Sequence, residues 1–184
     1  MKILLVGGSG FLGAWVARFL HINQCLARIF DPNKPDSEWH WLSGIRADAT
    51  EWVAGDVSKK SELDDAIRDC EGVINLAGLL TPECSQNPVR GAEVNLIGAI
   101  NVFEVALKHG LKKVAYTSSI GVYGPDHAEF PEPTTYYGSF KLASEGVARA
   151  FYEEHEISSL GVRPFLVYGP GREIGGSAGP SIAC

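Results

Sequence analysis

Residues 3–13 read ILLVGGSGFLG, and this stretch near the amino terminus decides the fold. Its first part, Ile3–Val6, is a continuous apolar run, which predicts a strand buried on both faces of a parallel sheet. The glycines fit two spacings, G-x-G-x-x-G from Gly8 and G-x-x-G-x-x-G from Gly7, and both end on Gly13. A tight glycine turn between a strand and a helix lets backbone N–H groups meet a pyrophosphate, so we favour dinucleotide binding over an ordinary turn.

Apolar runs alternate with helical patterns along the rest of the chain. This alternation predicts βαβ units and therefore an α/β fold with a doubly wound parallel sheet, the Rossmann fold. The predicted strands are Ile3–Val6, Leu26–Phe30, Glu51–Val53, Gly72–Leu76, Val114–Thr117 and Ile157–Val162. The predicted helices are Gly10–His21, a short one within 32–44, one capped by Ser61, Pro88–His109 closed by Gly110, and Thr135–His155.

Composition excludes several classes of protein. The chain has 184 residues with a net charge of −6 and scattered basic residues, which argues against a nucleic-acid surface. Its apolar runs are too short to cross a bilayer, so we expect no membrane contact and a cytoplasmic location. The cysteines and histidines lack metal-ligand spacing, and we predict no metal site. The four cysteines, expected to be reduced, are Cys25, Cys70, Cys84 and Cys184.

Asp31 follows the second predicted strand, close to the distance from the glycines at which a carboxylate meets the adenosine ribose. A carboxylate there accepts hydrogen bonds from ribose hydroxyls and repels a 2′-phosphate. The cofactor predicted on this basis is NAD rather than NADP, although Lys34 nearby could soften that preference. The alternative is that Asp31 is only a turn residue before Pro32.

Tyr137 and Lys141 are four residues apart on a predicted helix, so they share one face. An ammonium beside a phenol favours the phenolate, which lowers the tyrosine pKa and allows proton exchange near neutral pH. The pair alone occurs often on solvated helix edges. It gains weight here because Thr117-Ser118-Ser119 supplies hydroxyls at the end of the fifth strand.

Taken together in order, these motifs resemble the extended short-chain dehydrogenase/reductase family, in its NAD-dependent epimerase/dehydratase group. The resemblance runs from Lys2 to about Gly171. The matching stretches are 6–13, Gly55-Asp56-Val57, Leu76-Ala77-Gly78, Asn95 with Gly98, 117–124, Tyr137 with Lys141, and Arg163-Pro164 with Val167-Tyr168-Gly169-Pro170.

The resemblance implies roles for individual residues. Tyr137 would be the catalytic acid/base, Lys141 would lower its pKa and hold the nicotinamide ribose, and Ser119 rather than Ser118 would hold the reacting oxygen. Asn95 would support the site from a helix, where an ordinary polar helix residue is the alternative. Asp56 and Val57 would meet the adenine, and Pro164 would lie near the nicotinamide. Leu76, Ala77 and Gly78 would line the middle of the cofactor. The other residues that would contact NAD are Gly7, Gly10, Phe11, Leu12, Gly13, Asp31, Asn95, Tyr137 and Lys141.

The resemblance also implies an activity and partners. Residues 1–170 would form the NAD-binding domain, and 171–184 would begin a truncated substrate-binding region whose larger part is absent. The substrate would be a sugar or nucleotide sugar, and the chain would form a homodimer through its two long helices. Leu166 stands where nucleotide-sugar members often have asparagine, so a small polyol, sugar acid or hydroxy acid is an alternative. A non-catalytic NAD-binding module is the alternative of another class.

Overall fold

A computed structural model describes residues 1–125 and 129–172 of the chain. Its centre is a six-stranded parallel sheet with the order β3-β2-β1-β4-β5-β6, which confirms the predicted doubly wound fold. The strands are β1 Lys2–Val6, β2 Leu26–Phe30, β3 Glu51–Val53, β4 Gly72–Asn75, β5 Lys113–Thr117 and β6 Ser158–Val162. Each predicted strand agrees with the structure to within one residue at either end.

Helices cover both faces of the sheet. They are α1 Phe11–Ile22, α2 Ser37–Ser43, α3 Lys60–Ala66, α4 Thr81–Gln86, α5 Pro88–Ala92, α6 Gly98–Lys108 and α7 Tyr136–His155, with short 3-10 turns at Ala47–Ala49 and Ile120–Val122. In the described part of the chain, none of these helices combines the length and the apolar character that a membrane span needs.

The core has two layers because successive side chains of a strand point to opposite faces. Leu4 and Val6 on β1 pack with residues of α3, α6 and α7. Leu5 points to the other face and packs with residues of α1 and α2, among them Ala14 and Trp39. The strand order reverses between β1 and β4, and this reversal opens a crevice at the carboxyl ends of the strands.

Two helix predictions need correction. The helix expected over Pro88–His109 is divided by a π-helical segment, Glu93–Ile97. At that segment the side-chain amide of Asn95 donates to the carbonyl of Gly91 at 3.0 Å, which occupies the acceptor that an α-helix would offer to the Asn95 backbone. Ser61 is not a cap, because α3 begins one residue earlier and Lys59 holds the cap position.

Local chemistry explains where other helices begin and end. The hydroxyl of Thr135 accepts from the backbone N–H of Gly138 at 3.0 Å, and the carboxylate of Asp36 accepts from that of Trp39 at 2.8 Å. Gly110 follows the last turn of α6 with a left-handed φ of +72°, as the sequence predicted for the residue that closes this helix.

Candidate functional site

A cleft of about 790 Å³ opens at the carboxyl ends of the parallel strands. Its walls come from the glycine turn after β1, the ends of β2, β4 and β5, and the amino-terminal half of α7. Every residue predicted for the site lines this cleft except Asn95, which lies behind its wall. Fold topology therefore brings together residues that are far apart in the sequence.

The backbone of the glycine turn is packed so tightly that Gly7 and Gly13 have no space for a side chain. A Cβ on Gly7, where φ is +71°, would stand 2.5 Å from the backbone nitrogen of Ala77. A Cβ on Gly13 would stand 2.1 Å from the carbonyl oxygen of Gly8. Within the described part of the chain, no atom outside the turn lies within 4 Å of a Cβ built on Gly10, and no side chain caps α1, which begins at Phe11. An uncapped helix start behind an open glycine fits an anionic group.

Asp31 directly follows β2 and is buried in the cleft wall. Its carboxylate accepts from the backbone N–H of Asn33 at 2.9 Å and from that of Ser9 at 3.2 Å. Burial raises the pKa of Asp31 above its usual value, and the two backbone donors only partly offset this effect. The bond from Ser9 ties the carboxylate to the glycine turn.

Asp56 lies further along the same wall and has a partner that the sequence analysis missed. Arg90 on α5 donates to its carboxylate and also, at 3.1 Å, to the hydroxyl of Ser58. Burial raises the pKa of Asp56, but the bonds from Ser58 and Arg90 outweigh burial and hold it below the usual value. Arg90 is 34 residues from Asp56 in the sequence, so no local pattern could have paired them.

At the opposite end of the cleft, Tyr137 and Lys141 lie one turn apart on α7. The Lys141 ammonium is almost fully buried, stands 5.8 Å from the Tyr137 ring centroid and donates to the carbonyl of Thr117 at 2.9 Å. Ser119 lies beside Tyr137, and its hydroxyl oxygen accepts from the backbone N–H of Gly121 at 3.0 Å. Burial lowers the pKa of Lys141 to about 8.

The electrostatics of Tyr137 differ from the prediction. Burial raises the pKa of its phenol above the usual value, and a hydrogen bond with Ser119 lowers it only in part. The expected lowering by Lys141 is therefore not found in this structure. The physical reason is that desolvation disfavours the charged form of both groups, raising the pKa of a phenol and lowering that of an ammonium.

Ser118 and Ser119 are adjacent but have different environments. Ser118 is buried and its hydroxyl donates to the carboxylate of Glu145 on α7. Glu145 also receives two hydrogen bonds from the guanidinium of Arg163, at 2.8 and 2.6 Å. Arg163 in turn donates to the hydroxyl of Tyr123. This network was not identified from the sequence, and it joins the ends of β5 and β6 to the helix that carries Tyr137.

Asn95 does not line the cleft but lies behind the residues that form its wall. Its amide nitrogen donates to the carbonyls of Leu79 and Gly91, both at 3.0 Å, while its buried oxygen has no hydrogen-bond partner among the described residues. A Cβ built on Gly78 would meet that oxygen at 2.9 Å and the Lys141 nitrogen at 3.2 Å. The amide oxygen and the ammonium therefore face the same glycine.

The remaining predictions for the site concern Pro164 and metals. Pro164 lies on the cleft wall, and its carbonyl accepts from the backbone N–H of Ile120 at 3.0 Å. Within residues 1–125 and 129–172, no group of His, Cys, Asp and Glu side chains could hold a metal ion. His127 and Cys184, and all of the predicted substrate-region segment beyond Arg172, lie outside the described residues.

Comparison with known proteins identifies the family. A model of the NAD dependent epimerase/dehydratase family matches residues 3–181. The chain belongs to this family. A bifunctional UDP-glucose 4-epimerase and UDP-xylose 4-epimerase from Pisum sativum is 33% identical and aligns with 80% of the chain. An N-acetyl-α-D-glucosaminyl-diphospho-ditrans,octacis-undecaprenol 4-epimerase from Escherichia coli O157:H7 is 30% identical and aligns with 91%.

Solved structures of the family share the fold. The UDP-glucose 4-epimerase of Thermotoga maritima, solved with UDP-glucose, superposes with a TM-score of 0.84 at 24% identity. That comparison covers 98% of this chain and 60% of the other. The alignments with the Pisum sativum and Escherichia coli relatives cover 47% and 49% of those proteins, so this family member spans about half of their length.

Proposed function

We propose that this chain is the cofactor-binding and proton-transferring part of an NAD-dependent epimerase, dehydratase or dehydrogenase. The observation that carries the proposal is the placement of Ser119, Tyr137 and Lys141 in the same cleft as the glycine turn. A dinucleotide-binding module without chemistry would need the glycine turn but not a half-buried tyrosine with a buried lysine and a serine beside it.

The residues present fit NAD. The open space at Gly10 and the uncapped start of α1 suit a pyrophosphate, and Gly7 and Gly13 leave no side chain in its way. Asp31 at the end of β2 suits the adenosine ribose and disfavours a 2′-phosphate. Beyond the turn, Phe11, Leu12, Asp56, Val57, Leu76, Ala77, Gly78 and Pro164 line the cleft toward its other end.

The chain's own groups supply proton transfer. When bound, NAD⁺ supplies the hydride acceptor for oxidation of a substrate hydroxyl. Ser119 holds the reacting oxygen by a hydrogen bond, and the phenolic oxygen of Tyr137 exchanges the proton with that oxygen. Burial lowers the pKa of Lys141 to about 8, and the hydrogen bond to the carbonyl of Thr117 holds the ammonium beside the Tyr137 ring.

We propose a sugar or nucleotide sugar as the substrate. Two relatives at 30% identity or more carry the names of sugar 4-epimerases, which supports this class. Leu166, which is partly exposed beside the cleft residues Phe165 and Val167, is the reason to retain a small polyol, sugar acid or hydroxy acid as the alternative. Whether the hydride returns to the substrate separates an epimerase from a dehydrogenase.

The predicted homodimer and cytoplasmic location remain proposals. Exposed apolar side chains on the two helical regions support the homodimer: Val89 on α5, Ile97 at the end of the π segment and Tyr152 on α7. Sedimentation of the chain at several concentrations tests this proposal, and a monomer at every concentration would contradict it.

Tyr137→Phe tests the function. We expect the variant to bind NAD⁺ as the unchanged chain does, because only the hydroxyl is removed, and to lose turnover of a panel of UDP-sugars, sugars, polyols and hydroxy acids. Calorimetry measures the binding. NADH absorbance measures dehydrogenase turnover, and chromatography of the products measures epimerisation or dehydration, in which the hydride returns to the substrate and no NADH accumulates. If the unchanged chain binds NAD⁺ tightly and turns over none of the panel, either alone or within a longer protein that contains it, the non-catalytic module is the better description.

A further inference from the structure

The chain after β6 returns to the glycine-turn end of the cleft. This short segment, Gly169–Arg172, is called the crossing segment here. The indole N–H of Trp15 on α1 donates to the carbonyl of Pro170 at 3.3 Å. Gly171 has φ of +88°, and a Cβ on it would stand 2.3 Å from Leu42 on α2. The crossing segment is therefore packed against the two helices that flank the turn.

Arg172 ends the crossing segment beside the start of α1. The backbone N–H of Arg172 donates to the carbonyl of Gly169 at 3.0 Å, which closes a turn. Its guanidinium carbon stands 5.7 Å from the ring centroid of Phe11, the first residue of α1. Arg172 also lines the same cleft as Gly10 and Gly13. A guanidinium is thus placed at the point where the helix start faces the cleft.

The positions of the charged side chains in the cleft indicate which ligand group this guanidinium could bind. Among the described residues that line the cleft, the cationic ones are Arg90, Lys141 and Arg172. Arg90 lies further along the wall, at Asp56, and Lys141 lies beside Tyr137 at the other end. The glycine turn offers backbone N–H groups and no cationic side chain, and its Ser9 N–H donates to the Asp31 carboxylate. A pyrophosphate entering here would meet that carboxylate, and Arg172 is the cationic side chain on this side that could offset the repulsion.

We propose that Arg172 binds the pyrophosphate of the dinucleotide and that the crossing segment holds it in place for that task. The planar guanidinium matches phosphate oxygens with two parallel charge-assisted hydrogen bonds. This inference rests on the proposed function, because it takes NAD as the ligand of the cleft. It adds Arg172, which lies at the other end of the described chain, to the cofactor-binding residues of the glycine turn.

Calorimetric titration with three probes tests the role of Arg172. NAD⁺ and ADP-ribose contain the pyrophosphate, whereas adenosine does not. We expect Arg172→Ala to weaken NAD⁺ and ADP-ribose by about tenfold or more and to leave adenosine unchanged, because a hydrogen bond to a charged group is lost. Arg172→Lys keeps the charge but not the planar pairing, so it should recover part of the affinity. Arg149→Ala, an exposed arginine on α7, is the matched control and should change none of the three.

A second variant tests the crossing segment without touching Arg172. Trp15→Phe removes the indole donor to Pro170 and should weaken ADP-ribose severalfold while adenosine is unaffected. Equal weakening of adenosine and ADP-ribose by Arg172→Ala, or no weakening of either, would overturn the inference and leave the proposed function standing. Failure of the unchanged chain to bind NAD⁺, ADP-ribose or NADP⁺ would overturn both.

Discussion

The two ends of the cleft are built in opposite ways. The glycine-turn end is made of backbone, and its shape depends on side chains that are missing at Gly7 and Gly13. The tyrosine end is made of side chains, and its shape depends on the bonds that Lys141 makes to Thr117 at the end of β5 and Glu145 makes to the next residue, Ser118. At the first end, Gly7 and Gly13 leave no room for an added atom, whereas at the second end Lys141 and Glu145 each make bonds that a truncation would remove. Substitutions that add or remove single groups should therefore separate the two ends.

The largest expected effect is at the turn. Gly13→Val places side-chain atoms where even a Cβ would stand 2.1 Å from the Gly8 carbonyl oxygen, and this obstacle is backbone, which cannot move aside as a flexible side chain could. We expect a loss of about 3 kcal/mol of unfolding free energy and no measurable NAD⁺ binding. Urea denaturation and calorimetry measure the two effects. Gly146→Ala on α7 is the control, because its Cβ position is open, and it should stabilise the chain by about 0.5–1 kcal/mol. Wild-type stability of Gly13→Val would contradict the account of the turn.

The next effect concerns the tyrosine end. Glu145→Ala removes the acceptor shared by Ser118 and Arg163, and the partly buried guanidinium loses its carboxylate partner. We expect a loss of about 2–3 kcal/mol in unfolding free energy, measured by urea denaturation. The exposed pair of Arg46 and Asp48 gives the control, because Asp48→Ala should leave the midpoint unchanged. Equal midpoints for the two variants would show that the network does not stabilise the site.

Lys141 makes the free energy of unfolding depend on pH, and the expected change is similar to or smaller than that of Glu145→Ala. Its pKa is about 8 in the folded chain and has the ordinary value of 10.5 when unfolded, so the unfolded chain binds more protons between these values. The stability contribution therefore rises with pH, by about 2 kcal/mol from pH 7 to about 9.5. Denaturant unfolding at both pH values measures it. Lys141→Met should lose this part of the slope, and an identical slope in both proteins would show that the ammonium is not buried in solution.

The smallest effect is on cofactor choice. Asp31→Asn keeps a side chain that accepts the backbone bonds from Ser9 and Asn33 but removes the negative charge. We expect the preference for NAD⁺ over NADP⁺ to fall by about tenfold, which corresponds to about 1.4 kcal/mol. Calorimetry with both cofactors measures the ratio. Asp65→Asn, on an exposed pair with Arg68, should leave the ratio unchanged. A preference that persists in Asp31→Asn would assign discrimination to another residue.

The sequence predicted the elements of both ends because their signals are local. Apolar runs gave the strands to within one residue, and the glycine spacing placed the turn between β1 and α1. The four-residue spacing of Tyr137 and Lys141 placed both on one helix. The sequence did not reveal the π segment at Asn95, because an amide that donates four residues back has no signature in composition.

What the sequence determined by itself is the strand–turn–helix order, the family and the residue types at the site, since each depends on neighbours within a few positions. The tertiary structure decided the partners that join distant segments. Arg90 meets Asp56 across 34 residues, Arg163 meets Glu145 across 18, and Trp15 meets Pro170 across 155. It also reversed the expected direction of the Tyr137 pKa, because burial is a property of the packed chain. Hydrogen bonds and desolvation depend on distances in space, which the order of residues does not contain until the sheet is assembled.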